Sequence, residues 1–190
     1  CLLFVGRTSN QMETLLGDKS EFAIQAMPEP DLKPPSFVWG RMCLWVKGIQ
    51  LGDFNNHYCG LSQCVHHLNQ VLEELDELWS ESFSNKSDKD IFNYLKHAWF
   101  DPGFDDFGIS NEYGQYHKYH IGYGFAEMFD SEGMLFLLNL PNNTLRLLYQ
   151  PNENTEIVSL DIDKELFIDT VNQFNLWFQQ QETALEAKNA

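Results

Sequence analysis

The spacing of apolar residues changes period at Leu61, and that change restricts the fold more than any other feature of this chain. Leu61, Cys64, Val65, Leu68, Val71, Leu72, Leu75, Leu78 and Trp79 recur at intervals of three and four, the signature of one buried helix face. The pattern predicts a helix over 61–83. Upstream, Phe22, Ile24 and Ala26 alternate with other residues across 21–27, the period of a half-buried strand. A second β-rich run covers 37–46, and Lys47-Gly48 offers a tight turn into 49–54. The first third thus reads as a three-stranded antiparallel meander. Four prolines in 28–36 impose an irregular loop within it.

Downstream of the long helix, 85–87 breaks the pattern and Asp88 is positioned to cap a second helix through Trp99, with Ile91, Phe92 and Leu95 inward. The stretch 101–114 holds three glycines, a proline and four carboxylates, and is expected to be a loop. Strands are expected at 116–129, 134–140, 145–150 and 156–162, separated by turn-forming clusters. Asp163 then caps a last helix whose stripe is Leu166, Phe167, Val171, Phe174, Trp177 and Phe178, with a polar tail over 179–190 expected to fray. Hairpin connections without βαβ crossovers indicate an α+β fold: an antiparallel β-sheet of about seven strands packed with two central helices and one C-terminal helix.

Composition narrows the function classes. The 190 residues include 15 Phe, 7 Tyr and 5 Trp, enough for one large core, since each buried aromatic removes roughly 150–250 Å² from water. The longest apolar runs, 1–5 and 134–138, fall far short of the ~18 residues a membrane span needs. Residues 1–11 are expected to be a tag or extension and 12–190 a single α+β domain. A mature lipoprotein also begins with Cys, although Leu2–Val5 is an unusual continuation for one. A formal net charge of −16, from 28 acidic and 12 basic side chains, repels nucleic acid and anionic membranes. It leaves a cationic protein partner, or solubility alone, as its meaning. Cys1, Cys43, Cys59 and Cys64 match no common zinc spacing. Reduced thiols and a cytoplasmic location are expected.

Catalytic signatures are missing from the sequence. It contains no phosphate-binding glycine loop and no G-x-S-x-G elbow. His66 and His67 are adjacent on a helix, and His117 and His120 are three apart on an expected strand, so neither pair shares a metal-binding face. No metal site and no cofactor are expected. Asp101, Asp105 and Asp106 with His117 or His120 would be the candidate groups of a metal- or carboxylate-dependent hydrolase, the alternative reading. An acidic scaffold or assembly subunit is the other alternative.

Charge placement is the informative pattern. Glu73, Glu74, Glu77 and Glu81 fall within about 100° of arc on an ideal helix, opposite Leu68, Leu72, Leu75 and Trp79. Between Glu73 and Glu112 there are eleven acidic residues against three lysines, a net of −8. Such a stripe is the ordinary solvent face of an amphipathic helix, and equally the electrostatic footprint of a basic partner. No lysine follows four residues on from these glutamates, so helix stability alone would not favour the arrangement.

Three sequence elements carry a resemblance. Leu16-Gly17-Asp18-Lys19-Ser20-Glu21-Phe22-Ala23-Ile24 is followed by Trp39-Gly40-Arg41-Met42-Cys43-Leu44-Trp45-Val46-Lys47-Gly48 and then Leu51-Gly52-Asp53. Together they resemble the immunity protein 42 family of bacterial polymorphic toxin systems, which opens with a G-[DN]-K-x-x-F-A-I strand, a G-[RK]-x-C/F-x-W hairpin and a G-D element. The likeness covers roughly residues 16 to 75. It implies a cytoplasmic, non-enzymatic immunity protein that binds a cognate protein toxin and blocks its active site. On that reading the partner-binding residues are Glu73, Glu74, Glu77, Glu81, Asp101, Asp105, Asp106 and Glu112, with an exposed Trp or Tyr as anchor. The toxin would present a basic surface. The toxin's activity and the oligomeric state stay open.

Overall fold

The computed structural model describes residues 13–29, 38–100, 117–125, 128–129, 133–150 and 155–189. Its elements are α+β as expected, with eight strands divided between two antiparallel sheets rather than about seven in one. In the first sheet β1 (Thr14–Asp18), β2 (Phe22–Pro28), β3 (Trp39–Val46) and β4 (Ile49–Leu51) lie in chain order, and the short β5 (Cys59–Gly60) pairs with the start of β3. The expected meander is β2–β3–β4, with Ile24 opposite Leu44 and Leu44 opposite Leu51. Its turn is Lys47-Gly48, both at positive φ (50° and 80°), the backbone that suits a two-residue hairpin. β1 adds an edge strand in which Leu16 faces Ile24.

The second sheet is a plain hairpin series, β6 (Met134–Leu140), β7 (Thr144–Gln150) and β8 (Val158–Asp163). Three helices pack on these sheets: α1 (Leu61–Glu74), α2 (Asp88–Phe100) and α3 (Lys164–Asn189). α1 lies against β3 and α3, α2 against β6, and α3 against β1 and β2. Aromatic contacts join the layers. The Phe22 and Phe167 rings are 4.9 Å apart, and those of Phe92 and Phe136 5.2 Å apart. Full burial of each such side chain stabilises the fold by about 1.5–3 kcal/mol. Among the described residues, no helix is long and apolar enough to cross a membrane.

Four local expectations are corrected. The long helix ends at Glu74, not near Phe83; a 3₁₀ turn (Leu75–Glu77), an extended Ser80 and a second 3₁₀ turn (Glu81–Phe83) follow. The cause is the sequence of the last turn, which lacks a basic residue while Glu73, Glu74, Asp76 and Glu77 place negative charge at the negative end of the helix dipole. The strand expected at 116–129 is replaced, where described, by 3₁₀ turns at His117–Tyr119 and Ile121–Gly124, with a single bridge from His120 to Phe136. The α2 cap lies one residue earlier than expected. Ser87 Oγ accepts the Asp90 amide (3.2 Å) and Asp90 Oδ2 accepts from the Ser87 hydroxyl (2.6 Å), a reciprocal capping pair. The tail expected to fray is helical to Asn189, where the half-buried Leu185 continues the apolar face. Asp163 does cap α3, accepting the Leu166 amide at 2.8 Å.

Candidate partner-binding surface

Because α1 stops at Glu74, the four glutamates do not share one helical stripe. Glu73 and Glu74 end the helix, Glu77 closes the first 3₁₀ turn and Glu81 opens the second. Glu73, Glu77 and Glu81 are exposed and Glu74 is half-buried. Their local partners differ. Gln70 Nε2 donates to Glu74 at 3.3 Å, the Ser84 hydroxyl donates to Glu81 at 3.1 Å, and Lys118 Nζ donates to Glu77 at 3.0 Å. Glu73 has no such partner among the described residues. Beside them Lys164 Nζ binds Asp76 at 2.7 Å and holds that carboxyl below the usual carboxylate range.

The turn between α1 and the glutamates is stitched to the second sheet. The Asn139 side-chain amide donates to the Leu75 carbonyl at 3.1 Å, and the Asn139 backbone amide donates to the Leu78 carbonyl at 2.8 Å. The Leu75 carbonyl, which also accepts the Leu78 amide at 3.2 Å, and the Leu78 carbonyl are thereby tied to β6. Lys118 and Lys164 are engaged with Glu77 and Asp76, while Glu73 and Glu81 face solvent with no cation on them among the described residues. Lys118 and Lys164 stand 41 and 88 residues from their partners, so no local spacing could have indicated either pair.

Lys118 also ties the acidic turn to an aromatic cluster. In the same 3₁₀ segment the His117 and His120 rings lie 4.2 and 4.7 Å from Trp99, and Tyr123 lies 4.9 Å from it. Tyr123 is 70% exposed, whereas no Trp among the described residues is exposed. This segment is tied to α1 and to itself. His67 Nε2 donates to the Ile121 carbonyl at 2.7 Å, and its ring lies so close to Gly124 that a Cβ there would collide with it. His120 Nδ1 accepts the Tyr123 amide at 3.0 Å. Burial pushes His120 down to about 4, so the ring is neutral near pH 7.

A third charged group fastens α2 to the second sheet. Arg146 forks onto Asp161 (Nε at 2.7 Å, the second nitrogen at 3.0 Å) and reaches Asp88 at 3.1 Å. This pairing lowers the Asp161 pKa. A shallow cleft of about 670 Å³ opens beside it, between Asp88, Asn93, Gln150 and Ser159. Asp101, Asp105, Asp106 and Glu112 lie outside the described residues. The hydrolase alternative required three of those carboxylates with His117 or His120; His120 is buried with Nδ1 occupied, and His117 stacks on Trp99. Among the described residues, no group of three or more His, Cys, Asp or Glu is arranged to hold a metal ion.

A family model described as immunity protein 42 matches residues 12–177. The chain belongs to the immunity protein 42 family. It is an immunity protein, and its function is to neutralise a toxin. The hydrolase and scaffold alternatives receive no support from this result. The fold is similar to that of a solved protein described as CdiI from Burkholderia dolosa AUO158. The TM-score is 0.61 at 19% identity, over 84% of this chain and 97% of the other. No curated protein sequence matches the chain.

Proposed function

We propose that this immunity protein neutralises its toxin by occlusion, laying the acidic turn after α1 across a basic surface around the toxin's active site. Glu73, Glu74, Glu77 and Glu81 form the described part of the contact, and Asp101, Asp105, Asp106 and Glu112 extend it. Tyr123 is the aromatic anchor. It acts by binding, without catalysis, in the cytoplasm. The observation that carries this reading is the distribution of cations. Lys118 and Lys164 are committed to Glu77 and Asp76, while the Glu73 and Glu81 carboxylates are exposed with no cation on them among the described residues. Tyr is among the residue types enriched at interface hot spots. Complementary charge accelerates encounter more than it adds affinity.

Reversal of three glutamates (Glu73→Lys, Glu74→Lys and Glu81→Lys together) tests the reading, with Glu77 kept because it holds Lys118. Association with the cognate toxin domain should slow by roughly tenfold or more at low salt and lose most of its salt dependence. Unchanged association rates and an unchanged salt slope in the triple variant would rule out the acidic surface. Tyr123→Ala should instead raise the dissociation rate, by about tenfold for a side chain worth roughly 1.4 kcal/mol.

A further inference from the structure

Two of the protein's free thiols meet in the interior, away from the acidic turn. Cys59 lies in β5, opposite Gly40 of β3, and Cys64 lies in the first turns of α1. Both are buried, 1% and 0% exposed, and their Sγ atoms stand 3.5 Å apart. A disulfide requires about 2.05 Å between sulfurs, so closure needs an approach of roughly 1.5 Å, shared between two side chains. Gly60, next to Cys59, carries no side chain to resist it. Cys43 is the contrasting case: it is free and buried, but its Sγ contacts Gln25 Oε1 at 3.8 Å rather than another thiol. The contact with Cys64 and burial together push the Cys59 thiol well up.

We propose that Cys59 and Cys64 form an oxidative modification site, which hydrogen peroxide, a small uncharged oxidant, converts into an internal disulfide. The Cys64 thiolate attacks one peroxide oxygen, the O–O bond breaks and hydroxide leaves, giving a sulfenic acid. The Cys59 thiolate then attacks the Cys64 sulfur, forming the S–S bond and expelling a second hydroxide. The two thiol protons convert both hydroxides to water, and two electrons pass from the sulfurs to the peroxide. The bond ties β5 to α1. It also consumes the sulfenic acid before irreversible oxidation, a protection that Cys43 lacks. Neither cysteine belongs to the proposed toxin contact, so this site stands or falls apart from it.

The test treats the full folded chain with hydrogen peroxide and follows intact mass and a non-reducing chymotryptic map, in which cleavage at Leu61 separates the two cysteines. The expected result is a loss of about 2 Da, one linked peptide pair joining Cys59 to Cys64, and full reversal by dithiothreitol. Cys59→Ser should abolish the link and leave Cys64 as a sulfenic acid that dimedone traps. Peroxide treatment in urea should remove the preference for this pair. Oxygen additions of about 16 Da without a linked pair, or a disulfide involving Cys1 or Cys43, would overturn the proposal. So would an equal preference for the pair in urea. If Cys59→Ser does not fold, the wild-type map alone decides.

Discussion

At position 120 an imidazole is packed between Trp99 and Phe136, with ring centroids 4.7 and 5.3 Å away, and its Nδ1 accepts the Tyr123 amide. That bond leaves the proton on Nε2 and makes protonation of Nδ1 incompatible with the turn. Burial pushes the group down from 6.5 to about 4, with His117 and His67 nearby adding to the effect if charged. The unfolded chain therefore binds a proton in the interval between these values that the folded chain does not. Stability from this source is complete above about 6.5, falls as the pH drops, and is lost by about 4. The loss should be on the order of 3 kcal/mol. Burial lowers the His67 pKa as well, so it works in the same direction. The lowered carboxyls of Asp76, Asp90 and Asp161 act further into acid, as the pH falls below 3.8. Urea unfolding of wild type and His120→Asn at pH 4.5 and 7 separates the contributions. Asn keeps an acceptor for the Tyr123 amide without titrating, so its stability should change less between the two pH values. An equal change in both proteins would remove His120 as the cause.

At the scale of elements, the junction after α1 is where local sequence and distant packing compete. Negative charge at the helix end weakens the last turn, and Asn139 of β6 takes the Leu75 and Leu78 carbonyls. Asn139→Ala should cost about 0.5–1.5 kcal/mol, because the Leu75 carbonyl loses its side-chain donor but keeps the Leu78 amide at 3.2 Å. A fall in the urea midpoint without a change in m value checks it, and a midpoint equal to wild type would mean that water replaces the amide at no cost. The same junction explains what could be read from the sequence. The start and buried face of α1 were legible because Leu61, Cys64, Leu68 and Val71 repeat within the helix itself, and the 47–48 hairpin because Lys47-Gly48 is a local turn. The helix end was not, since its carbonyls are claimed by a residue 64 positions away. The aromatic run at 117–125 looked like a strand, yet His67 of α1 occupies the space beside Gly124, and the His120 ring caps a turn. Of the candidate site, the exposure of Glu73 and Glu81 was legible. The single helical stripe expected for the four glutamates was wrong, and the cations on Glu77 and Asp76 could not be read. The exposure of Tyr123 depended on that misread segment.

At the scale of the whole molecule, a net charge of −16 attracts any basic toxin, so slower association after charge reversal has two possible causes. Either a local footprint is lost or the overall field is weakened. α3 separates them. It runs antiparallel to α1: Lys164 binds Asp76 at one end, and Asn175 binds Asn69 (2.6 Å) a few turns later. The exposed Glu182 and Glu186 continue along the same helix. Glu186 lies 22 residues beyond Lys164, about 33 Å along the axis and several times the screening length of roughly 8 Å at physiological salt. Glu182→Lys with Glu186→Lys changes the net charge by the same four units as Glu73→Lys with Glu81→Lys. If the acidic turn is the contact, the Glu73/Glu81 pair slows association at about 0.15 M salt by roughly tenfold, while the α3 pair leaves it within about twofold. Stopped-flow association with the toxin domain at that salt measures both. Equal slowing by the two pairs would assign the charge to long-range attraction alone and remove Glu73 and Glu81 from the contact.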